Sequence, residues 1–294
     1  MSAQPNFSQH QKRVVLIAGP TASGKSAYAA RLAMAENGVV INADSMQVYA
    51  ELRLLTARPS PAEEAMVPHR LYGHVSGTEA YSVARWQQEA MAQVEQAHEQ
   101  GRLPILCGGT GLYFMSLIKG LSEVPEIAPE VREHWRGFTG DLHAELAARD
   151  KASAARLHPS DRQRLIRALE VYDSTGHSLL HWQAVAEADA PLKDFEVTKH
   201  FISVPREELY ARAEQRFDLM LTQGALDEVR GMPELDANAP LMKAIGVPEL
   251  LAHLRGECSI EEAATAAKTA TRQYIKRQLT LYRGQMADWK QISS

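Results

Sequence analysis

The stretch Gly19-Pro20-Thr21-Ala22-Ser23-Gly24-Lys25-Ser26 restricts this chain more than any other. It fits G-x-x-x-x-G-K-[ST], a glycine-rich loop whose backbone N–H groups cradle phosphates. Val14-Val15-Leu16-Ile17-Ala18 before it is a short apolar, β-branched run that reads as a buried strand. Ala27 to Met34 after it is rich in Ala and Leu and reads as a helix. Strand, loop and helix in that order turn successive N–H groups toward an anion at a helix N-terminus. Lys25 adds a point charge for a β-phosphate, and Ser26 a hydroxyl suited to Mg²⁺. The motif specifies a bound diphosphate and leaves open the molecule that carries it.

Two more strand ends carry polar chemistry. Gly38-Val39-Val40-Ile41-Asn42-Ala43 reads as a second strand and runs into Asp44-Ser45-Met46-Gln47. Leu103-Pro104-Ile105-Leu106-Cys107 reads as a third and runs into Gly108-Gly109-Thr110-Gly111. In α/β sheets, ligands bind outside the carboxyl ends of the strands. Asp44 is therefore a candidate base or metal-binding carboxylate, with a helix cap or turn as the plain alternative. The glycines around Thr110 imply a tight turn with exposed N–H groups and one hydroxyl, expected beside the phosphate loop.

Residues 53–77 hold three prolines and two glycines and read as a loop-rich connection. Thr78 to Gln100 reads as a long helix with an apolar stripe at Val83, Trp86, Ala90 and Val94. From Leu121 strand-like runs vanish until about Phe195, and helical segments are expected at roughly 130–137, 141–149, 152–156 and 160–174. The fold class is thus α/β: a phosphate-loop, parallel-sheet core (1–120 plus 195–294) with an inserted all-helical subdomain (121–194) and C-terminal helices. Glu196 to Val204 is a further strand, followed by a helix from Pro205 with Arg212 and Arg216 on one face and Gly224 at its end. The last helix spans about Ser259 to Tyr282, where Lys268, Arg272 and Lys276 fall at successive i+4 steps. That basic stripe is a footprint for an anionic partner, or else a complement to the helix dipole.

The net charge of −4 means that any RNA binding must come from local patches. Cys107 and Cys258 give neither a metal spacing nor a disulfide framework, as in a reducing compartment. Met1 to Gln11 is polar and lacks the apolar segment of a signal peptide. No run approaches the length of a membrane span, so the expected location is the cytoplasm, with no membrane partner.

Three strand ends therefore converge on one edge, with Asp44 the one acid among them. Asp44 could hold the metal of a nucleoside or nucleotide kinase using ATP. Alternatively it acts as a base while a group other than phosphoryl is transferred away from a diphosphate leaving group.

Longer matches bear on this choice. GPTASGKS at 19–26, INADSMQVY at 41–49, YSVARW at 81–86, GGTGLY at 108–113, HPSDRQRLIRALEVY at 158–172 and TRQYIKRQ at 271–278 stand in order along nearly the whole chain. In these stretches the chain resembles the bacterial tRNA dimethylallyltransferases, also called tRNA isopentenyltransferases. It departs from them in the segment Thr56-Ala57-Arg58-Pro59, where a Lys is usual, at Pro68-His69, where a His pair is usual, at Val247, often Tyr, and at Leu281, usually Trp.

The resemblance implies transfer of the dimethylallyl group from dimethylallyl diphosphate to the exocyclic amine of the adenosine 3′-adjacent to the anticodon, in tRNAs reading codons that begin with U. Mg²⁺ is the expected cofactor and no protein partner is implied; a monomer is the default expectation. By resemblance, Asp44 takes the amine proton, Thr110 hydrogen-bonds the diphosphate, and an arginine clamps it, Arg216 as first choice and Arg212 as second. The anticodon stem-loop is expected to meet Asp44, Ser45, Met46, Gln47, Thr110, Arg132, Gln163, Arg164, Leu165, Ile166, Arg167, Lys243, Ala244, Ile245, Gly246, Val247, Pro248 and Glu249, with Arg272 and Lys276 adding backbone contacts.

Overall fold

The computed structural model describes residues 12–233, 235–236 and 239–293. Met1 to Gln11, read above for a signal peptide, lies outside them. Contacts divide the chain into two units, Met1–Phe114 with Asp194–Ser294, and Met115–Lys193.

The chain begins with β1 (Arg13–Ala18), α1 (Lys25–Ala35), β2 (Gly38–Asn42), α2 (Pro61–Met66), β3 (His69–Arg70), α3 (Val83–Glu99) and β4 (Leu103–Gly108). The unit boundary falls inside α4 (Gly111–Lys119). Five helices follow: α5 (Pro129–Gly137), α6 (Leu142–Arg149), α7 (Lys151–Ala154), α8 (Arg162–Thr175) and α9 (Leu179–Ala188). The first unit resumes with β5 (Glu196–Ser203), α10 (Arg206–Thr222), α11 (Ala225–Arg230), a short 3₁₀ turn at Pro240–Lys243, α12 (Val247–Leu254), α13 (Ile260–Gln285) and β6 (Lys290–Ser293).

The six strands form one parallel sheet in the order β3-β2-β4-β1-β5-β6. All five residues of β2 are buried, as are the last five of β1. Strands covered on both faces read as unbroken apolar runs rather than as alternation. The register pairs Ala18 with Gly108 and Asn42 with Cys107, so β1, β4 and β2 end level and side by side. Their loops are thereby brought to one edge. Gly108 permits the close approach there, because a Cβ on it would stand 2.0 Å from the Ala43 carbonyl oxygen.

Several boundaries move for local reasons. The helix expected from Thr78 starts at Val83, because the Ser82 hydroxyl accepts the Arg85 N–H and caps it. Its buried face is Trp86, Ala90, Val94 and Ala97. Within the loop-rich stretch, α2 forms on a Ser60–Glu63 capping box. α9, α11, α12 and β6 had no counterpart in the sequence reading.

In the second unit, Trp135, Leu142, Leu146, Leu165, Ala168 and Leu169 from α5, α6 and α8 form a core of their own. Its entering and leaving segments meet where the Leu192 N–H donates to the Leu117 carbonyl (3.2 Å). Among the described residues no helix is long and apolar enough to cross a membrane.

Candidate active site

The phosphate loop leaves β1 and turns through positive φ at Ala22 (66°) and Gly24 (83°). Gly24 is favoured there because a residue with a Cβ is strained in that region. The N–H groups of Ala22, Gly24, Lys25 and Ser26 make no backbone hydrogen bond with a described residue. They face outward at the start of α1, the arrangement that receives an anion. Lys25 folds back over the loop, its Nζ 3.4 Å from the Pro20 carbonyl oxygen. Ser26 is exposed in the first turn.

One strand away, Asn42 ends β2 fully buried and holds the next turn in place. Its Nδ2 donates to the carbonyls of Asp44 (2.9 Å) and Leu71 (3.0 Å), and its Oδ1 accepts the Asp44 N–H (2.8 Å). The Trp86 indole N–H donates to the Asn42 carbonyl (2.8 Å). Asp44 Oδ1 accepts the Met46 N–H (3.0 Å), which fixes the carboxylate and leaves Oδ2 for other work. Between these loops sits the β4 turn. The Thr110 hydroxyl oxygen accepts the Ser45 N–H (2.9 Å) and donates to Ser45 Oγ at 3.3 Å, so Thr110 is anchored to the Asp44 loop.

A cavity of about 240 Å³ opens beside these loops. Thr21, Asp44, Ser45, Thr56, Arg216, Lys243, Thr271, Tyr274 and Arg277 give it polar walls, and Met46, Leu55, Ala213, Phe217, Met220, Ala244 and Ile245 apolar ones. Burial holds the pKa of Lys25 below its ordinary value, with the Asp44 carboxylate pulling the other way. Arg216 is depressed for the same reason, again opposed by Asp44. Two cations that have lost solvent thus face a single carboxylate, a site short of negative charge. Burial also pushes the Cys107 thiol beneath them up to about 12, leaving it protonated and inert.

Thr21, Asp44, Ser45, Met46, Arg216, Lys243, Ala244 and Ile245 line the one cavity, and Lys25 couples to it electrostatically. Of the two candidate clamps, Arg212 instead pairs with Glu208 at 2.6 Å and is not part of the wall. Gln47 turns its amide to the carbonyls of Thr56 (2.8 Å) and Ala57 (3.0 Å).

Three readings need correction. Leu165 and Val247 are core residues, 1% and 0% exposed, so neither presents a side chain to RNA. The Glu249 carboxylate accepts the Gly246 N–H as a helix cap. On the basic stripe, Lys268 pairs with Asp218 and Arg272 with Glu214, both from α10, leaving Lys276 exposed. Arg132, Gln163, Arg164 and Arg167 are exposed in the second unit, with Ile166 half-buried.

Asn42 and Gln278 carry no role that the sequence assigns. A polar residue closing an otherwise apolar strand was the available signal for Asn42. Tyr274, Gln278 and Tyr282 recur every four residues, which places three hydrogen-bonding side chains on one face of α13.

Fold and loop together define a phosphate-loop α/β protein. The family model for IPP transferase matches residues 47–285. The tRNA dimethylallyltransferase of Rhodopseudomonas palustris is 53% identical over 96% of this chain and 91% of its own length. That of Azorhizobium caulinodans is 51% identical over 94% and 90%. Among solved structures, the full-length tRNA isopentenylpyrophosphate transferase of Bacillus halodurans superposes with a TM-score of 0.69 at 34% identity, over 96% of this chain and 90% of that one. A eukaryotic dimethylallyltransferase acting on tRNA gives 0.78 at 28%, over 96% and 74%. The chain belongs to the tRNA dimethylallyltransferase family, and the comparisons favour this reading over the kinase alternative.

Proposed function

We propose that this protein transfers the dimethylallyl group of dimethylallyl diphosphate to the exocyclic amine of the adenosine 3′-adjacent to the anticodon, in tRNAs reading codons that begin with U, in the cytoplasm. The observation that carries the reading is the single cavity where Asp44 and Arg216 meet beside the phosphate loop, in a chain of this family. The free N–H groups of Ala22, Gly24, Lys25 and Ser26 receive the diphosphate, flanked by the Lys25 and Arg216 side chains. A polyanion there supplies the charge these buried cations lack, and donors aimed at a leaving group favour its departure.

In the transfer, the amine nitrogen bonds to C1 of the dimethylallyl group. The C1–oxygen bond breaks with its electron pair going to diphosphate. Asp44 Oδ2 accepts the amine proton, so the carboxylate acts as general base. Thr110 donates its hydroxyl hydrogen to the diphosphate by turning it away from Ser45. A base stacked in an anticodon loop must be extruded to reach such a cavity. The apolar wall of Leu55, Phe217 and Met220 suits the hydrocarbon group.

Among the described residues no cluster of His, Cys, Asp or Glu is able to hold a metal unaided. Ser26 offers an exposed hydroxyl at the loop's end. That donor set fits Mg²⁺, which keeps several waters and binds through substrate phosphates. When bound, Mg²⁺ would neutralise charge on the departing diphosphate.

The test incubates the protein with unmodified tRNA, dimethylallyl diphosphate labelled in the prenyl group, and Mg²⁺. Label is expected in the tRNA at one adenosine. Failure of label to enter tRNA, with phosphoryl transfer from ATP to a nucleotide instead, would restore the kinase.

A further inference from the structure

We infer that Gln278 is a positioning residue for the transfer, tying the phosphate loop to the Gly109–Thr110 turn. This rests on the reading of Thr110 as a diphosphate contact. Gln278 is 6% exposed, on a helix whose neighbouring Lys276 and Arg277 are exposed. Its Oε1 accepts the Thr21 N–H at 3.0 Å and its Nε2 donates to the Gly109 carbonyl at 3.0 Å. One amide thus uses its acceptor on one loop and its donor on the other. The fit is close: a Cβ on Gly109 would stand 2.6 Å from Nε2.

One helical turn later the Tyr282 hydroxyl lies 3.0 Å from the Gly109 carbonyl oxygen and 3.3 Å from that of Gly19. It has one proton and serves one acceptor at a time. The ladder between β1 and β4 ends at Ala18 and Gly108, and beyond it the two loops share no direct hydrogen bond among the described residues. The Thr110 N–H turns the other way, to the Ala43 carbonyl (3.2 Å). α13 therefore joins the two halves of the anion site where the sheet no longer does.

Two consequences follow for the diphosphate. The Gly109 carbonyl, a partial negative charge, is held on donors from α13 and kept off the anion. The Thr21 N–H is already occupied by Gln278 and that of Ser23 by the Pro20 carbonyl, so the cradle consists of the N–H groups of Ala22, Gly24, Lys25 and Ser26. Loosening this link lets Thr110 drift from the loop, and a displacement of about 1 Å costs on the order of a hundredfold in rate.

The experiment compares Gln278→Met, Thr110→Ala and the double variant by melting temperature, tRNA affinity and single-turnover transfer rate with saturating tRNA. Gln278→Met keeps the length of the side chain and removes both hydrogen bonds. It is expected to fold, to bind tRNA as before, and to slow transfer by about tenfold to a hundredfold. In the Thr110→Ala background it should add no more than about twofold, because the group it positions is gone. Effects that multiply in the double variant, or a normal rate in Gln278→Met beside a slow Thr110→Ala, overturn the proposal alone. A normal rate in Thr110→Ala overturns the underlying reading of Thr110 as well. Should Gln278→Met fail to fold, Tyr282→Phe removes one donor to Gly109 and enters the same comparison.

Discussion

In the proposed transfer Asp44 is the base, and it is also the carboxylate that eases two buried cations, Lys25 and Arg216; these roles pull in opposite directions. Its charge favours protonated Lys25 and Arg216 in the resting protein, yet it stands beside the place where a diphosphate must arrive. Asp44→Asn should lower turnover by at least about a hundredfold. Binding of inorganic pyrophosphate, measured by calorimetry, should be unchanged or tighter, since a like charge has gone. Weakened pyrophosphate binding would show that Asp44 serves the anion site rather than the proton. Lys25 supplies the complementary case. Its pKa is depressed in the folded chain, so the charged form is penalised at every pH below that depressed value, and the penalty fades as pH rises toward the unfolded value. At neutral pH, Lys25→Met should therefore raise the melting temperature by about 1–3 °C while pyrophosphate binding is lost. A lower melting temperature would place Lys25 among the stabilising residues instead.

At the scale of elements, the wall of the cavity is held from a distance. Glu228, on α11, accepts the N–H groups of Arg53 (2.6 Å), Leu54 (2.8 Å) and Leu55 (3.0 Å) with one carboxylate. The next residues, Leu55 and Thr56, face the cavity, and Gln47 grips the Thr56 and Ala57 carbonyls from the other side. Glu228→Ala should cost about 1–3 kcal/mol in urea unfolding, as three N–H groups lose a charged acceptor. It should also raise the KM for dimethylallyl diphosphate, and an unchanged KM would mean the wall keeps its shape without the tether. None of this was legible in the chain, where Arg53 and Glu228 are far apart and α11 is six residues long. What was legible is local: β1, β2 and β4 are apolar runs ending in glycine or polar residues, and a buried parallel strand has no other signature. β6 has Ile292 as its only large apolar residue and is defined by its backbone pairing with β5. The basic stripe looked free because its acids sit on another helix, Asp218 and Glu214 of α10. Leu165 and Val247 show a second limit. A motif is contiguous, but a helix sends every third or fourth residue inward, so a run of RNA-facing positions must include core residues.

For the whole molecule the central quantity is charge. With 32 bases against 36 acids, the protein approaches a polyanion such as tRNA without long-range attraction. Affinity must come from a few cations set where the RNA lies, and the second unit offers them exposed. Arg132 is exposed on α5, and Arg164 on α8 has only a long 3.4 Å pairing with the neighbouring Asp161. An exposed pair of that kind is worth little and yields readily to a phosphate. Arg162 differs, since its guanidinium is engaged by the carbonyls of Arg136 (3.1 Å) and Phe138 (2.6 Å) and braces the unit itself. The expected experiment measures tRNA affinity against salt for the wild type, Arg132→Ala, Arg164→Ala and the pair. Each substitution should reduce the slope of log K against log salt by about one, and the pair by about two. The transfer rate at saturating tRNA should stay within about twofold of wild type, because residues proposed only to bind RNA take no part in the chemistry. An unchanged slope in the pair would remove α5 and α8 from the RNA path and move recognition to the first unit, where Lys243 and Arg277 are exposed cations that line the cavity.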